Sequence, residues 1–346
     1  LKIIKAGIIM IIVMKPTADQ SEIDHVVEKV EEVGCKTTLL EGTNRKVIAV
    51  IGDKRDIPPE YWDTIPGVEK AVPILTPYKL ASREVRKADT EIKINDQVLG
   101  GKKIGVIAGP CAVESQDQIN FIAEGVKKAG AIALRGGAFK PRTSPYSFQG
   151  LKEEGLEYLA RAREATGLAI VTEILSPEHI DLVSSYVDVL QIGTRNMANF
   201  LLLEAVGKCK KPVILKRGMS ATLDEFLLAG EYILSHGNPN VILCERGIRT
   251  FETHTRFTLS LSIVPQLKRL THLPVIVDPS HGTGVRELVA PMSKGAIAVG
   301  ADGLILEVHK DPEESFVDGP QALTIESFGD LMRESAAVAE AIGREI

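Results

Sequence analysis

Along the 346 residues, short apolar runs alternate with stretches in which apolar positions recur every three or four residues. The first such alternation is compact. Met10–Met14 reads as a strand, and Ser21–Val33 places Ile23, Val26, Val27, Val30 and Val33 on one side of a helix that Gly34 closes. Lys36–Glu41 and Lys46–Gly52 read as a strand pair joined through Gly42-Thr43-Asn44. Pro58-Pro59-Glu60 opens a second short helix, and Lys70–Leu75 is the last strand. The order βαββαβ predicts a ferredoxin-like α+β domain over residues 1–80. Residues 81–103 are charged and lack strong periodicity, so they read as a linker. Ile92–Ile94 and Lys103-Ile104, around Asp96-Gln97 and Gly100-Gly101, predict an entrance hairpin there.

From 104 to 346 the pattern becomes regular. Apolar runs begin at Ile104, Ala131, Leu168, Val187, Pro212, Val241, Pro274 and Gly303. Helical periodicity falls between them, over Gln116–Ala129, Leu151–Ala165, Asn199–Cys209, Thr222–Ser235, Phe257–Lys268 and Arg286–Val299, and again over Leu323–Ile342. Eight strands with intervening helices predict an α/β fold, a closed (β/α)₈ barrel. An open doubly wound sheet is the alternative, but no G-x-G-x-x-G follows the first strand.

Composition changes this picture little. Hydrophobic residues make up 44% and charged residues 25%, and the net charge of −5 argues against a general nucleic-acid binder. No apolar run approaches a membrane span, and the apolar start, Leu1–Val13, reads as a strand rather than a signal peptide. Four widely spaced cysteines without a C-x-x-C pair fit a reducing cytoplasm.

Charge matters locally. Between Leu134 and Gly150, Arg135, Lys140 and Arg142 fall within eight residues of a glycine-rich loop that leaves a strand at its carboxyl end. Arg195, Lys216 and Arg246 stand at later strand ends, so a barrel collects six cations at one mouth. Such crowding is costly unless anions sit there. One phosphate or carboxylate needs about two or three cations, so six suggest two anionic ligands or one with several anionic groups. Cys111, His281, Glu307 and Asp318 reach the same mouth. One thiolate, one imidazole and two carboxylates suit Zn²⁺, Fe²⁺, Co²⁺ or Mn²⁺ better than Mg²⁺.

These residues stand in recognisable runs. Arg135-Gly136-Gly137 with Lys140-Pro141-Arg142-Thr143-Ser144 resembles the signature of 3-deoxy-D-arabino-heptulosonate 7-phosphate (DAHP) synthase. So do Gly109-Pro110-Cys111, Leu215-Lys216-Arg217-Gly218, Cys244-Glu245-Arg246-Gly247 and Asp278-Pro279-Ser280-His281. Residues 1–80 resemble the regulatory appendage of its short, type I beta, subfamily. The resemblance implies condensation of phosphoenolpyruvate with erythrose 4-phosphate and water, the entry to the shikimate pathway. It assigns Arg135, Lys140, Arg195, Lys216 and Arg246 to phosphoenolpyruvate, and Arg142 and Thr143 to the aldose phosphate. It makes Cys111, His281, Glu307 and Asp318 ligands of one divalent ion. Lys140 is then the expected proton donor, and Cys111 and His281 share in catalysis through the ion. Glu173 would orient water or partner an arginine. A tyrosine or phenylalanine effector and a cytoplasmic homotetramer are implied as well. The eight-carbon homologue usually carries Lys-Ala-Asn-Arg-Ser-Ser where this chain has Lys140-Pro141-Arg142-Thr143-Ser144, which favours the four-carbon aldose. A degenerate, non-catalytic sensor would have lost part of the cation or ligand set.

Overall fold

In the computed structural model, residues 8–41, 46–52, 57–73, 76–83, 85–142 and 144–346 are described. The chain divides into two units, Leu1–Pro77 and Tyr78–Ile346.

In the first unit, β1 (Ile8–Met14), α1 (Gln20–Glu32), β2 (Lys36–Glu41), β3 (Lys46–Ile51), α2 (Pro59–Asp63) and β4 (Val68–Pro73) follow in βαββαβ order. The strands form an antiparallel sheet in the order β2-β3-β1-β4. Strand alternation puts Ile12 and Met14 on the buried face, against Ile23, Val26 and Val30 of α1 and Trp62 of α2. Asp19 caps α1 in a reciprocal box with Glu22. The turn expected at Gly42-Thr43-Asn44 and the last two residues of the expected Lys70–Leu75 strand lie outside the described residues.

The second unit begins with a hairpin, β5 (Ile92–Ile94) and β6 (Gln97–Leu99). It is tighter than the sequence suggests. Asn95 takes a left-handed φ of +51°, so the return strand starts at Gln97 rather than Lys103. The barrel strands are β7 (Gly105–Gly109), β8 (Ala133–Arg135), β9 (Ala169–Ile174), β10 (Val189–Ile192), β11 (Val213–Lys216), β12 (Val241–Glu245), β13 (Val275–Val277) and β14 (Gly303–Glu307). All pair in parallel, and β14 pairs with β7 to close the ring.

The barrel helices are α3 (Gln116–Lys128), α4 (Glu153–Thr166), α5 (Ile180–Tyr186), α6 (Phe200–Lys208), α7 (Leu223–Ser235), α8 (Ile263–Leu270), α9 (Pro279–Thr283), α10 (Arg286–Ala298) and α11 (Ile325–Ala341). The sequence pattern does not bring out α5 and α9, and it starts α8 six residues early. Residues 257–262 carry apolar spacing, but Ile248 and Thr258 pair as an antiparallel bridge and hold that segment as a loop. No described helix is long and apolar enough to cross a membrane.

Ile92, Ile94 and Leu99 pack with Ile107, Val189, Ile214, Ile276 and Ile305 in the barrel interior. The hairpin therefore closes the amino-terminal end, and the chemistry is left to the other. Ile92 is fully buried, so Ile92→Ala is expected to cost about 2–5 kcal/mol in urea unfolding. An unchanged midpoint would show that the hairpin is not part of the cooperative core.

Candidate active site at the carboxyl end of the barrel

Two glycines let the first strand ends approach each other. Gly109 ends β7 with φ +155°, and a Cβ there would lie 2.1 Å from the Arg135 carbonyl. At Gly137 a Cβ would lie 2.7 Å from both the Cys111 carbonyl and Lys140 Cδ. The bare backbone lets Lys140 fold back, and its Nζ donates to Cys111 O at 3.0 Å and to Cys111 Sγ at 3.1 Å.

A cavity of about 370 Å³ opens here, and all six cations read from the sequence line it. Arg135, Lys216 and Arg246 are buried, at 5%, 4% and 5% exposure, while Arg142 and Arg195 lie nearer solvent. Two of the buried cations have carboxylate partners: Arg135 Nη2 is 3.3 Å from Glu307 Oε1, and Lys216 Nζ is 2.5 Å from Asp278 Oδ2. Arg246 lies over the Phe257 ring at 4.1 Å, and its Nε and Nη1 have no hydrogen-bond partner. Burial pulls its proton affinity below the ordinary arginine value, which marks a desolvated cation short of counter-charge. An anion in the cavity would supply it. Arg195 Nη1 donates to Pro141 O at 3.4 Å. Arg217 turns away to Glu245 at 3.0 Å and the Ala221 carbonyl, in a structural pair.

The four candidate ligands also converge. One donor atom from each of Cys111, His281, Glu307 and Asp318 lies within 4.8 Å of the others. His281 sits on α9, where Asp278 caps the helix by accepting from His281 N at 2.9 Å. The other oxygen of Asp278 lies 2.8 Å from His281 Nδ1, which leaves Nε2 facing Glu307 Oε1 at 3.3 Å and Asp318 Oδ2 at 3.9 Å. Glu307 takes a 2.6 Å bond from Gln321 Nε2 on one oxygen, while buried Oε1 has no hydrogen-bond donor. Asp318 lines the cavity from a left-handed backbone, φ +58°.

Burial, and then the Glu307 carboxylate, push the Cys111 thiol well above its ordinary value, and Sγ donates to Asp318 Oδ2 at 3.2 Å. Burial alone would raise the Asp318 carboxyl, but His281 and Arg256 bring it down to about 2. Burial holds His281 below its usual value against the pull of Asp278 and Glu307. A neutral imidazole, two carboxylates and a thiol awaiting a cation to displace its proton form a donor set that a borderline divalent ion fits. Glu307 Oε1, approached by Arg135 and His281 at 3.3 Å but hydrogen-bonded by neither, points the same way.

Glu173 lines a small recess with Arg135, Lys140 and Gln191, and Gly193 makes room for it, since a Cβ there would meet Glu173 Oε1 at 1.9 Å. Thr143 lies outside the described residues. Sequence reasoning missed Arg256, Phe257 and Gln321. Arg256 Nη1 donates to Asp318 Oδ1 at 3.1 Å and to Gln321 Oε1 at 3.0 Å. The only signal for Arg256 was a cation beside an aromatic, just before a stretch, Phe257–Lys268, whose spacing reads as helix.

The family described as "DAHP synthetase I family" matches residues 89–342, and "DAHP synthase ferredoxin-like domain" matches residues 10–76. The chain is 47% identical over 337 residues to phospho-2-dehydro-3-deoxyheptonate aldolase of Thermotoga maritima, covering 97% of this chain and 100% of that one. A 2-dehydro-3-deoxyphosphooctonate aldolase of Syntrophobacter fumaroxidans is 30% identical over 262 residues, 70% of this chain and 90% of the relative. The crystal structure of phospho-2-dehydro-3-deoxyheptonate aldolase (DAHP synthase) from Thermotoga maritima superposes with a TM-score of 0.94 at 46% identity, covering 98% of this chain and 99% of that one. Its truncated form superposes with a TM-score of 0.73, covering 78% of this chain and 98% of that one.

Proposed function

The chain belongs to the DAHP synthetase I family, as an enzyme with DAHP synthase activity, and from that premise we propose which residues carry out the condensation. The substrates are phosphoenolpyruvate and erythrose 4-phosphate. Arg135, Lys216 and Arg246, deep in the cavity, hold the enol phosphate and its carboxylate, with Arg195 at the side. Arg142, nearer solvent, takes the phosphate of the aldose together with Thr143. Cys111, His281, Glu307 and Asp318 hold one divalent ion, Mn²⁺, Fe²⁺, Co²⁺ or Zn²⁺, which when bound supplies Lewis acidity to an oxygen at the mouth.

Carbon 3 of the enol attacks the aldehyde carbon, and the aldehyde oxygen takes its proton from Lys140 Nζ. Water adds at carbon 2, and the resulting hemiketal phosphate expels inorganic phosphate to leave the ketone. Glu173 and Gln191 flank the recess beside Lys140 and orient that water. The cations align both substrates and receive the leaving phosphate, a positional and electrostatic contribution. One observation supports this reading above the others: Lys140 Nζ stands 3.1 Å from Cys111 Sγ and also lines the cation-rich cavity.

The test is phosphate release with Mn²⁺, phosphoenolpyruvate and either erythrose 4-phosphate or arabinose 5-phosphate. Release is expected with the four-carbon aldose and at most weakly with the five-carbon one. Preference for arabinose 5-phosphate would overturn the substrate assignment.

The same reading makes residues 1–80 a regulatory domain that binds tyrosine or phenylalanine, 81–103 a linker and 104–346 the catalytic barrel, in a cytoplasmic homotetramer. Four free thiols fit that setting. Truncation to Tyr78–Ile346 is expected to keep turnover and lose inhibition by either amino acid. Inhibition that survives truncation would move the effector site into the barrel.

A further inference from the structure

Arg256 lies outside the assignments above, yet it touches the segments that carry two of the four candidate ligands, His281 and Asp318, and reaches a third, Glu307, through Gln321. Its backbone N–H donates to the Thr283 carbonyl at 2.8 Å, and that of Phe257 donates to Gly282 at 3.1 Å, so the loop is tied to α9 and therefore to His281. This approach requires glycine. A Cβ on Gly284, at φ +69°, would lie 2.6 Å from Arg256 Cβ, and one on Gly247, at φ +89°, would lie 2.7 Å from Phe257 Cβ. From that anchor Arg256 Nη1 reaches Asp318 Oδ1 and Gln321 Oε1, and Gln321 Nε2 continues to Glu307 Oε2.

We infer that Arg256 and Gln321 are positioning residues that fix Asp318 and Glu307 for the divalent ion. This rests on the metal reading proposed above. The chain α9–Arg256–Gln321–Glu307, with Asp318 as its branch, is closed by hydrogen bonds at every link. Two carboxylates that would otherwise choose among several rotamers are each held through one oxygen, which leaves the other for the centre. Arg256 is 42% exposed in its side chain, so substituting it removes little packed surface. Gln321 is 2% exposed, and its amide is a bridge with no solvent alternative.

The sign of the effect separates positioning from charge. Removing a cation 3.1 Å from Asp318 would, by Coulomb's law alone, tighten a divalent ion. Loss of positioning weakens it, by about 10–100-fold for residues in this role. Mn²⁺ titration followed by electron paramagnetic resonance, on full-length wild type, R256Q, R256K and Q321L, reads this without turnover. Weaker Mn²⁺ binding is expected in R256Q and Q321L, with R256K in between and the KM for phosphoenolpyruvate unchanged. Unchanged or tighter Mn²⁺ binding in both R256Q and Q321L would overturn the inference. A raised KM for the aldose phosphate with unaltered Mn²⁺ affinity would overturn it too, by making Arg256 a substrate contact. If wild type itself binds no Mn²⁺, the metal reading falls and this inference with it.

Discussion

Replacing Cys111 with serine is expected to lower turnover by at least about 10²-fold while the barrel stays folded. The thiol is buried beside Ala112 and Val317, and serine nearly matches its volume, so packing changes little. What changes is the donor. Sulfur is the soft member of a set that otherwise offers nitrogen and oxygen, and a serine hydroxyl does not ionise to replace it. The thiol proton is hard to remove by burial alone, so only a cation at the centre makes Sγ a ligand. Steady-state phosphate release on protein of known metal content, with circular dichroism as the fold control, decides the matter. Full activity at equal metal content would remove Cys111 from the ligand set.

Lys140→Met is expected to lower kcat by about 10²–10⁴-fold, the usual contribution of a positioned acid. Methionine keeps most of the length without the charge, so the loss isolates the ammonium. Burial alone would lower the proton affinity of Lys140, but the Cys111 sulfur, when ionised, and the Glu173 carboxylate outweigh it and hold it above the ordinary lysine value. The group therefore carries its proton throughout the neutral range, and the wild-type rate should show no limb from its titration below about pH 10. A Lys140→Met enzyme with wild-type kcat and only a raised KM would make the residue a binding charge rather than an acid.

Much of the architecture was legible because strand and helix periodicities differ and alternate in this chain. Runs such as Val241–Cys244, buried on both faces, read as barrel strands from their apolar continuity alone. The site was legible for another reason. Parallel strands all end at one rim, so six cations and four donor residues far apart in sequence could be placed together without any contact information. Whatever depends on pairing between loops was not legible. Phe257, Leu261 and Val264 have helical spacing, and nothing local announces that Ile248 will bridge to Thr258 and hold the first part of that stretch open. Arg256 was lost with it. Gln321 carries no charge and belongs to no motif, and it matters only because Glu307 and Arg256 stand on either side. Asp278 was visible within its run, but its double role, capping α9 and facing both His281 and Lys216, exists only in three dimensions.

The left-handed backbone at Asp318 bears on how that position can drift. A residue with a longer or branched side chain would be held there at a cost of roughly 1–2 kcal/mol, whereas aspartate and asparagine take the conformation cheaply. Glu307 lies in a regular strand and is under no such restriction. Glycine takes the Asp318 conformation more cheaply still, and of these three residues only aspartate is an acid. A descendant with asparagine there would keep the loop's shape while giving up its charge, so the change would be silent in the fold and visible only in the chemistry of the mouth.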